Sequence, residues 1–462
     1  MAEEKDQSTG SAQTATKEAL RETPALDNPK KVLEESTDEL IEYGGFELIE
    51  SSVDGAKVMN PEGKARKNIF LNEAAKKGER KKLKKQLQLW HDLLSESDDI
   101  SDMVEKSQEK VESAEALLKA NLKKALGETA ELEQNYRSMA MFFKNAEVDK
   151  VRNITLFNAD IERLKDLDNT LVIDKISEEL KARHDRLDLR ENYSLLVIPG
   201  YLGSNKVVEK WAKIAHQNKT MLVTDFNHLD DPDAVMEEFD MANLTGGEIH
   251  RSNVMMTCNW LVGREQYEEL DEEDPMYIPP STALAGKIYS TLIAQPTAGK
   301  MHGGLNEVDG VAFPLKKSEI SELEKRGLVP MVKEWEKVMA FSAKTLYNGN
   351  DIGLQTYSVV RVFDYVGKVI IDFLNRQAFV NWTPKVQKDL SREISKYLKS
   401  IMGSDKIIQD YNLMRLEQDP ETKRIFIDLH LTPFFPAKNF LLKLGGTKGD
   451  TAEEWQSEYA EQ

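Results

Sequence analysis

The stretch YSLLVIPGYLGSNKVVEKWAKIAHQNKTMLVTDFNHLDDPDAVMEEFDMANLTGGEIHRSNVMMTCNW, residues 193–260, decides the fold. Three short apolar runs, YSLLVIPG (193–200), TMLVTDF (220–226) and SNVMMTCNW (252–260), are each bounded by turn residues and read as buried strands. Between the first two, NKVVEKWAKIAHQNK (205–219) puts Val207, Trp211 and Ile214 on one helical face. Between the second and third, DPDAVMEEFDMANL (231–244) starts a helix, with Asp231 as N-cap and Pro232 next. Upstream, VRNITLFNAD (151–160) reads as a further strand and ISEELKARHDRLD (176–188) as a helix. This alternation predicts an α/β layer with a largely parallel sheet and right-handed crossovers.

Working towards the N-terminus, no proline occurs between Pro61 and Pro199. Leu83, Leu87, Trp90 and Leu94 step by four, three and four, and Val111, Ala114, Leu118, Leu122 and Ala125 repeat the habit. Two long amphipathic helices are expected over about 78–145, broken near SESDD at 95–99, as a hairpin or coiled-coil-like arm. Residues 61–90 carry ten Lys/Arg against three Glu, a block that reads as a solvated or partner-docking face. Residues 1–60 are polar apart from LIEYGGFELIE (40–50) and read as a disordered or extended arm with a strand-like centre at Phe46, Glu47, Leu48 and Ile49.

Towards the C-terminus, PPSTALAGKIYSTLIAQPTAGK (279–300) reads as a helix entered through prolines and closed before Pro296. Residues 301–345 read as Gly-rich loops and short pieces, followed by helices over about 358–374 and 384–402. Ile425, Ile427, Leu429 and Leu431 alternate with polar or aromatic neighbours, and Phe440, Leu442 and Leu444 follow, which gives two strands. The expected organisation is an arm (1–60), a helical segment (61–150), an α/β domain (151–300), a C-terminal domain (301–446) and an acidic tail (447–462).

Composition narrows the function. The chain has 462 residues and a net charge of −18, which argues against nucleic-acid binding. Its one cysteine, Cys258, excludes an internal disulfide framework or a cysteine metal cage. No apolar run approaches the ~20 residues of a membrane helix, and the first twenty residues lack a signal-peptide core, so a cytoplasmic protein without membrane insertion is expected.

Catalytic motifs are scarce. IPGYLGSN has Gly200 and Gly203 but not the third glycine of a dinucleotide turn. Gly286–Lys287 and Gly299–Lys300 lack the rest of a P-loop. No G-x-S-x-G or H-E-x-x-H occurs. The best candidate for acid/base or metal chemistry is Asp225, His228, Asp230 and Asp231 after the second strand, against a reading of ordinary turn and capping chemistry. No cofactor, metal or catalytic residue is expected.

The stretch PPSTALAGKIYSTLIAQPTAGKMHGGLNEVDGVAFPLKKSEISELEKRGLVPMV (279–332), continued through Thr345, Leu346, Tyr357 and Arg361, resembles contractile-tail sheath proteins. So does the ending VQKDLSREISKYLKSIMG, RIFIDLHL, KNFLLKL. The nearest resemblance is to the large sheath subunits of type VI secretion, the TssC/VipB family, in a Bacteroidetes-like branch. It implies a contractile-tail-sheath-like α/β (α+β) fold with extended arms and a structural, non-enzymatic role. It implies pairing with a small sheath subunit (TssB/VipA) and polymerisation with copies of itself around an inner tube of Hcp. It further implies assembly on a baseplate, and recycling by the ClpV unfoldase mainly through the small subunit. On this view Phe46–Ile49, Ile425, Ile427, Leu429, Leu431, Phe440 and Leu442 add strands between protomers. Leu83, Leu87, Trp90 and Leu94 would pack on the small subunit or on the sheath body. The alternatives are a sheath protein of another contractile injection machine, or an α/β enzyme using the Asp225–Asp231 loop.

Overall fold

The structure is a computed structural model that describes residues 72–95, 99–147, 149, 151, 153–419 and 421–437, and the backbone of 441–447 and 454–460. The chain divides into two units, Met1–Ala125 and Leu126–Gln462.

In the first unit, α1 is Lys77–Ser95, and α2, Ile100–Asn145, begins. Surface pairs such as Lys106 with Asp102 brace the turns. Leu83, Leu87 and Trp90 of α1 are exposed, as are Val111, Leu118 and Leu122 of α2. The two helices and the break between them fall where the apolar spacing puts them.

The second unit is built on a five-stranded sheet. Its elements, in chain order, are α3 (Leu171–His184), β1 (Leu195–Tyr201), α4 (Asn205–Gln217), β2 (Met221–Asp225), α5 (Pro232–Ala242) and β3 (Val254–Cys258). Then come β4 (Leu261–Arg264), β5 (Met276–Ile278), α6 (Ser281–Ser290), β6 (Gly310–Val311), α7 (Lys317–Lys325), β7 (Leu328–Glu334) and β8 (Lys337–Ala340). The sheet order is β1-β2-β3-β7-β8, with the first four strands parallel and β8 antiparallel. A smaller antiparallel sheet has the order β5-β4-β6.

Strand periodicity divides the interior in two. Leu222, Val254, Met256 and Leu328 face a core closed by α3, α4, α5 and α7. Met221, Val223, Met255 and Val329 face a second core closed by α6, by Met141 of α2 and by Tyr357 and Val360. Strands buried on both faces read as continuous apolar runs, which is why β2 and β3 are recognisable in the sequence. Trp211 is fully buried, and its indole N–H donates to Leu164 O at 3.0 Å. Its removal would cost about 3–5 kcal/mol.

The C-terminal part forms a third core. Helices α8 (Tyr357–Asn375) and α9 (Pro384–Ile401) pack against a hairpin of β9 (Ile408–Gln418) and β10 (Ile425–Pro433). Tyr357 and Val360 belong to the second core, whereas Val362, Val366 and Ile370 belong to the third, so α8 joins them. Strands β11 (Leu441–Thr447) and β12 (Glu454–Ala460) pair antiparallel.

Several expectations are corrected. VRNITLFNAD forms no strand: residues 153–160 carry no ladder, and Ile154, Leu156 and Phe157 are exposed. The helix expected over 279–300 stops at Ser290, with turns taking the chain through Pro296. Residues 301–345 are not only loops, because β7 pairs with β3 inside the central sheet and β8 forms its edge.

Candidate assembly surfaces

Parallel sheets hold ligands at the C-terminal ends of their strands. In this chain that place is closed by Asp225, the last residue of β2, which is fully buried. Its carboxylate accepts from Gly200 N (2.8 Å), Ser281 N (2.7 Å), Ser281 Oγ (2.6 Å) and Thr257 Oγ1. It therefore ties β1, β3 and the first residue of α6 to β2. Burial raises its pKa to about 6, against the lowering effect of these four donors.

The neighbouring candidates do not converge on Asp225. Asp231 caps α5 by accepting from Ala234 N at 2.8 Å. Asp230 is exposed. His228 lies between Tyr277 and Trp260, with ring centroids 4.4 and 5.4 Å away, and burial pushes its pKa down. The four residues thus do separate work as clasp, cap, surface charge and stacked ring. Among the described residues no group of three or more His, Cys, Asp or Glu could hold a metal. Cys258 is buried in β3, with its thiol pKa pushed up by that burial.

Helix α2 ends on the body through a polar face. Gln134 Nε2 donates to Tyr277 O (2.8 Å), and Arg137 Nη1 to Gly263 O (3.0 Å). Ser138 Oγ meets Thr282 Oγ1 at 3.0 Å. The Asn145 side chain accepts from Asn306 N at 2.8 Å and donates to its carbonyl at 3.3 Å. Arg264, 9% exposed, pairs with Glu133 and grips Glu272 in a bidentate pair at 2.6 and 2.9 Å. That grip holds the Glu272 carboxyl down at about 2. At Gly286 of α6 a Cβ would strike the carbonyl oxygen of Phe142, so glycine permits this close approach. The opposite face of α2 exposes Leu132, Tyr136, Met139 and Phe143, spaced four, three and four apart. A surface helix ordinarily turns its apolar stripe inward, and here the stripe faces outward.

The residues expected to join protomers are distributed as follows. Ile427, Leu429 and Leu431 point into the third core, while Ile425 is exposed. All four lie on β10, whose one strand partner among the described residues is β9 of the same chain. The backbone of Leu442 pairs with Tyr459. Phe440 and Phe46, Glu47, Leu48 and Ile49 lie outside the described residues. Leu83, Leu87 and Trp90 are exposed on α1 and Leu94 is half-buried. Strand β9 was missed in the sequence. Its register skips at Met414 and again near its start, so Tyr411 and Leu413 fall out of phase with Leu416, and period two is lost.

Three family descriptions match in succession along the chain. They are "TssC/VipB-like, N-terminal region" over 33–122, "Type VI secretion system TssC/VipB, central domain" over 124–348, and "TssC/VipB-like, C-terminal domain" over 356–461. The chain belongs to the TssC/VipB family. It is a contractile-sheath subunit. Among solved structures, a chain of the anti-feeding prophage baseplate is 17% identical with a TM-score of 0.47, over 67% of this chain and 80% of that one. A chain of the contracted anti-feeding prophage sheath is 18% identical with a TM-score of 0.45, over 68% and 81%. The sheath tail protein of Desulfitobacterium hafniense is 11% identical with a TM-score of 0.40, over 62% and 59%. A comparison with the curated proteins finds no match. The assignment of this TssC/VipB chain rests on the ordered family regions rather than on these distant likenesses. No described helix is long and apolar enough to cross a membrane.

Proposed function

We propose that this chain works in the cytoplasm as the large subunit of a type VI secretion sheath. It pairs with a small sheath subunit, polymerises around an inner tube on a baseplate, and contracts to drive the tube outward. The observation that carries this reading is the unbroken order of the three TssC/VipB regions from 33 to 461. The exposed apolar residues Leu83, Leu87 and Trp90 support a helical segment that the small subunit covers. Among the described residues the edge of β10 away from β9 has no strand partner, which supports strand addition by the arm around Phe46–Ile49 of a neighbour, since backbone hydrogen bonds can join bodies that rotate against one another. The ClpV unfoldase would act mainly through the small subunit. The work of contraction comes from interfaces with two arrangements rather than from a catalytic step. The test is deletion of residues 1–58 in the co-expressed pair. A two-subunit complex that forms no sheaths is expected, and sheaths at the wild-type yield would remove the strand-addition reading.

A further inference from the structure

Residues 153–157, Asn-Ile-Thr-Leu-Phe, have the residue types of a strand and no strand to join. Their course is nevertheless fixed at both ends. Asn153 Nδ2 donates to Arg190 O at 2.7 Å, and the Thr155 hydroxyl hydrogen-bonds to Tyr193 Oη. Downstream, Ala159 and Ile161 pack on the first core, and Asp160 caps the short helix Ile161–Lys165 by accepting from Glu162 N at 3.0 Å. Tyr193 precedes β1, and Ile161 lies beside Gly200 near the end of β1. The segment therefore runs alongside the edge strand of the central sheet, in the same direction, without pairing to it.

Asn153 and Thr155 turn to the body, while Ile154 and Leu156 are exposed, which is the alternation of extended chain. Leu156 is 64% exposed, and Phe157 is exposed as well. Among the described residues no backbone N–H or C=O of 153–159 makes a hydrogen bond. An extended run of unpaired backbone with apolar side chains on its outer face is a template for strand pairing. Its chemistry calls for one kind of occupant, a second extended backbone with apolar side chains on one face. Because both ends are already held, little order remains to be imposed on pairing.

We propose that residues 154–157 receive an extended strand of the small sheath subunit, which bonds to their backbone and covers Ile154 and Leu156. Two features favour that source over a second copy. Identical segments pairing antiparallel are related by a two-fold axis and close as a dimer, whereas a sheath must repeat. An open template also has to be covered before assembly, because it would otherwise recruit strands in the dispersed pool, and the small subunit is the partner present at that stage. The contact rests on the two-subunit reading above and adds to it a joint separate from α1.

The test is hydrogen–deuterium exchange on the full chain co-expressed with its small subunit, read in the dispersed complex and in sheaths. An added strand bonds alternate residues, so two of the four amides of 154–157 should exchange about a hundredfold slower than in an unstructured peptide, already in the dispersed complex. Neighbouring N–H groups of a strand point to opposite edges, so one of Leu156→Pro and Phe157→Pro should lower co-purification of the small subunit at least tenfold and the other should not. Neither substitution removes a hydrogen bond made within the described residues, so circular dichroism should be unchanged. Peptide-rate exchange of all four amides in an intact wild-type complex overturns this contact alone, as does undiminished co-purification by both proline variants. Protection that appears only in sheaths overturns the assignment to the small subunit. A wild-type chain that binds no small subunit overturns the two-subunit reading and this contact with it.

Discussion

At the scale of single residues, Asp225 shows how a catalytic-looking group can serve the fold. A carboxylate after a parallel strand, beside a histidine and two more aspartates, has the composition of an active site. Its burial beneath four protein donors leaves it as the knot between three strands and α6. Its pKa of about 6 is above the ordinary 3.8, so its stabilising contribution is complete below that ordinary value and is lost as pH rises through about 6. Relative to Asp225→Asn, the wild type should therefore gain of the order of 3 kcal/mol in urea unfolding between pH 7 and pH 4. A difference that does not vary with pH would contradict this. Gly286 makes a second prediction. The obstacle to a Cβ there is backbone, which cannot rotate away, so Gly286→Ala should lower stability by about 1–3 kcal/mol despite alanine's better helix propensity. The urea midpoint reads this directly, and an unchanged midpoint would show that α2 can shift at no cost.

At the scale of elements, the exposed seam of α1 carries a prediction about partners. Leu83→Glu with Trp90→Glu should leave helix content unchanged by circular dichroism and lower co-purification of the small subunit at least tenfold. Undiminished co-purification would exclude that surface. The elements legible from the sequence were those that a single physical rule dictates. β2 and β3 are continuous apolar runs buried on both faces, β1 is a similar run that is half-buried at the sheet's edge, and α4, α5 and α9 pair an apolar stripe with a clear start. Elements without that coincidence escaped. VRNITLFNAD has a strand's composition but no ladder to join, and composition cannot supply a partner. β7 begins directly after Gly327, and its neighbour β3 lies some seventy residues earlier in the chain, a pairing that no local pattern encodes. The candidate site was legible as residue types only. The cap made by Asp231 is local and was legible, whereas the tasks of Asp225 and His228 depend on Thr257 of β3, Ser281 of α6, Tyr277 of β5 and Trp260 between β3 and β4.

At the scale of the whole molecule, a charge of −18 keeps unassembled subunits apart, while exposed apolar residues on α1, α2 and the β7–β8 turn make the isolated chain an incomplete object. On the proposed polymer reading, the joints of the lattice cover those surfaces. Contraction should then need no nucleotide: isolated extended sheaths are expected to shorten equally with and without ATP, and a strict ATP requirement would oppose storage of the work in the lattice. The most direct measurement is negative-stain electron microscopy of the full chain co-expressed with its small subunit. Hollow, helically ribbed tubes built from both chains are the expected result. A stable complex of the two that stays dispersed at every concentration, and never forms a tube, would contradict the account.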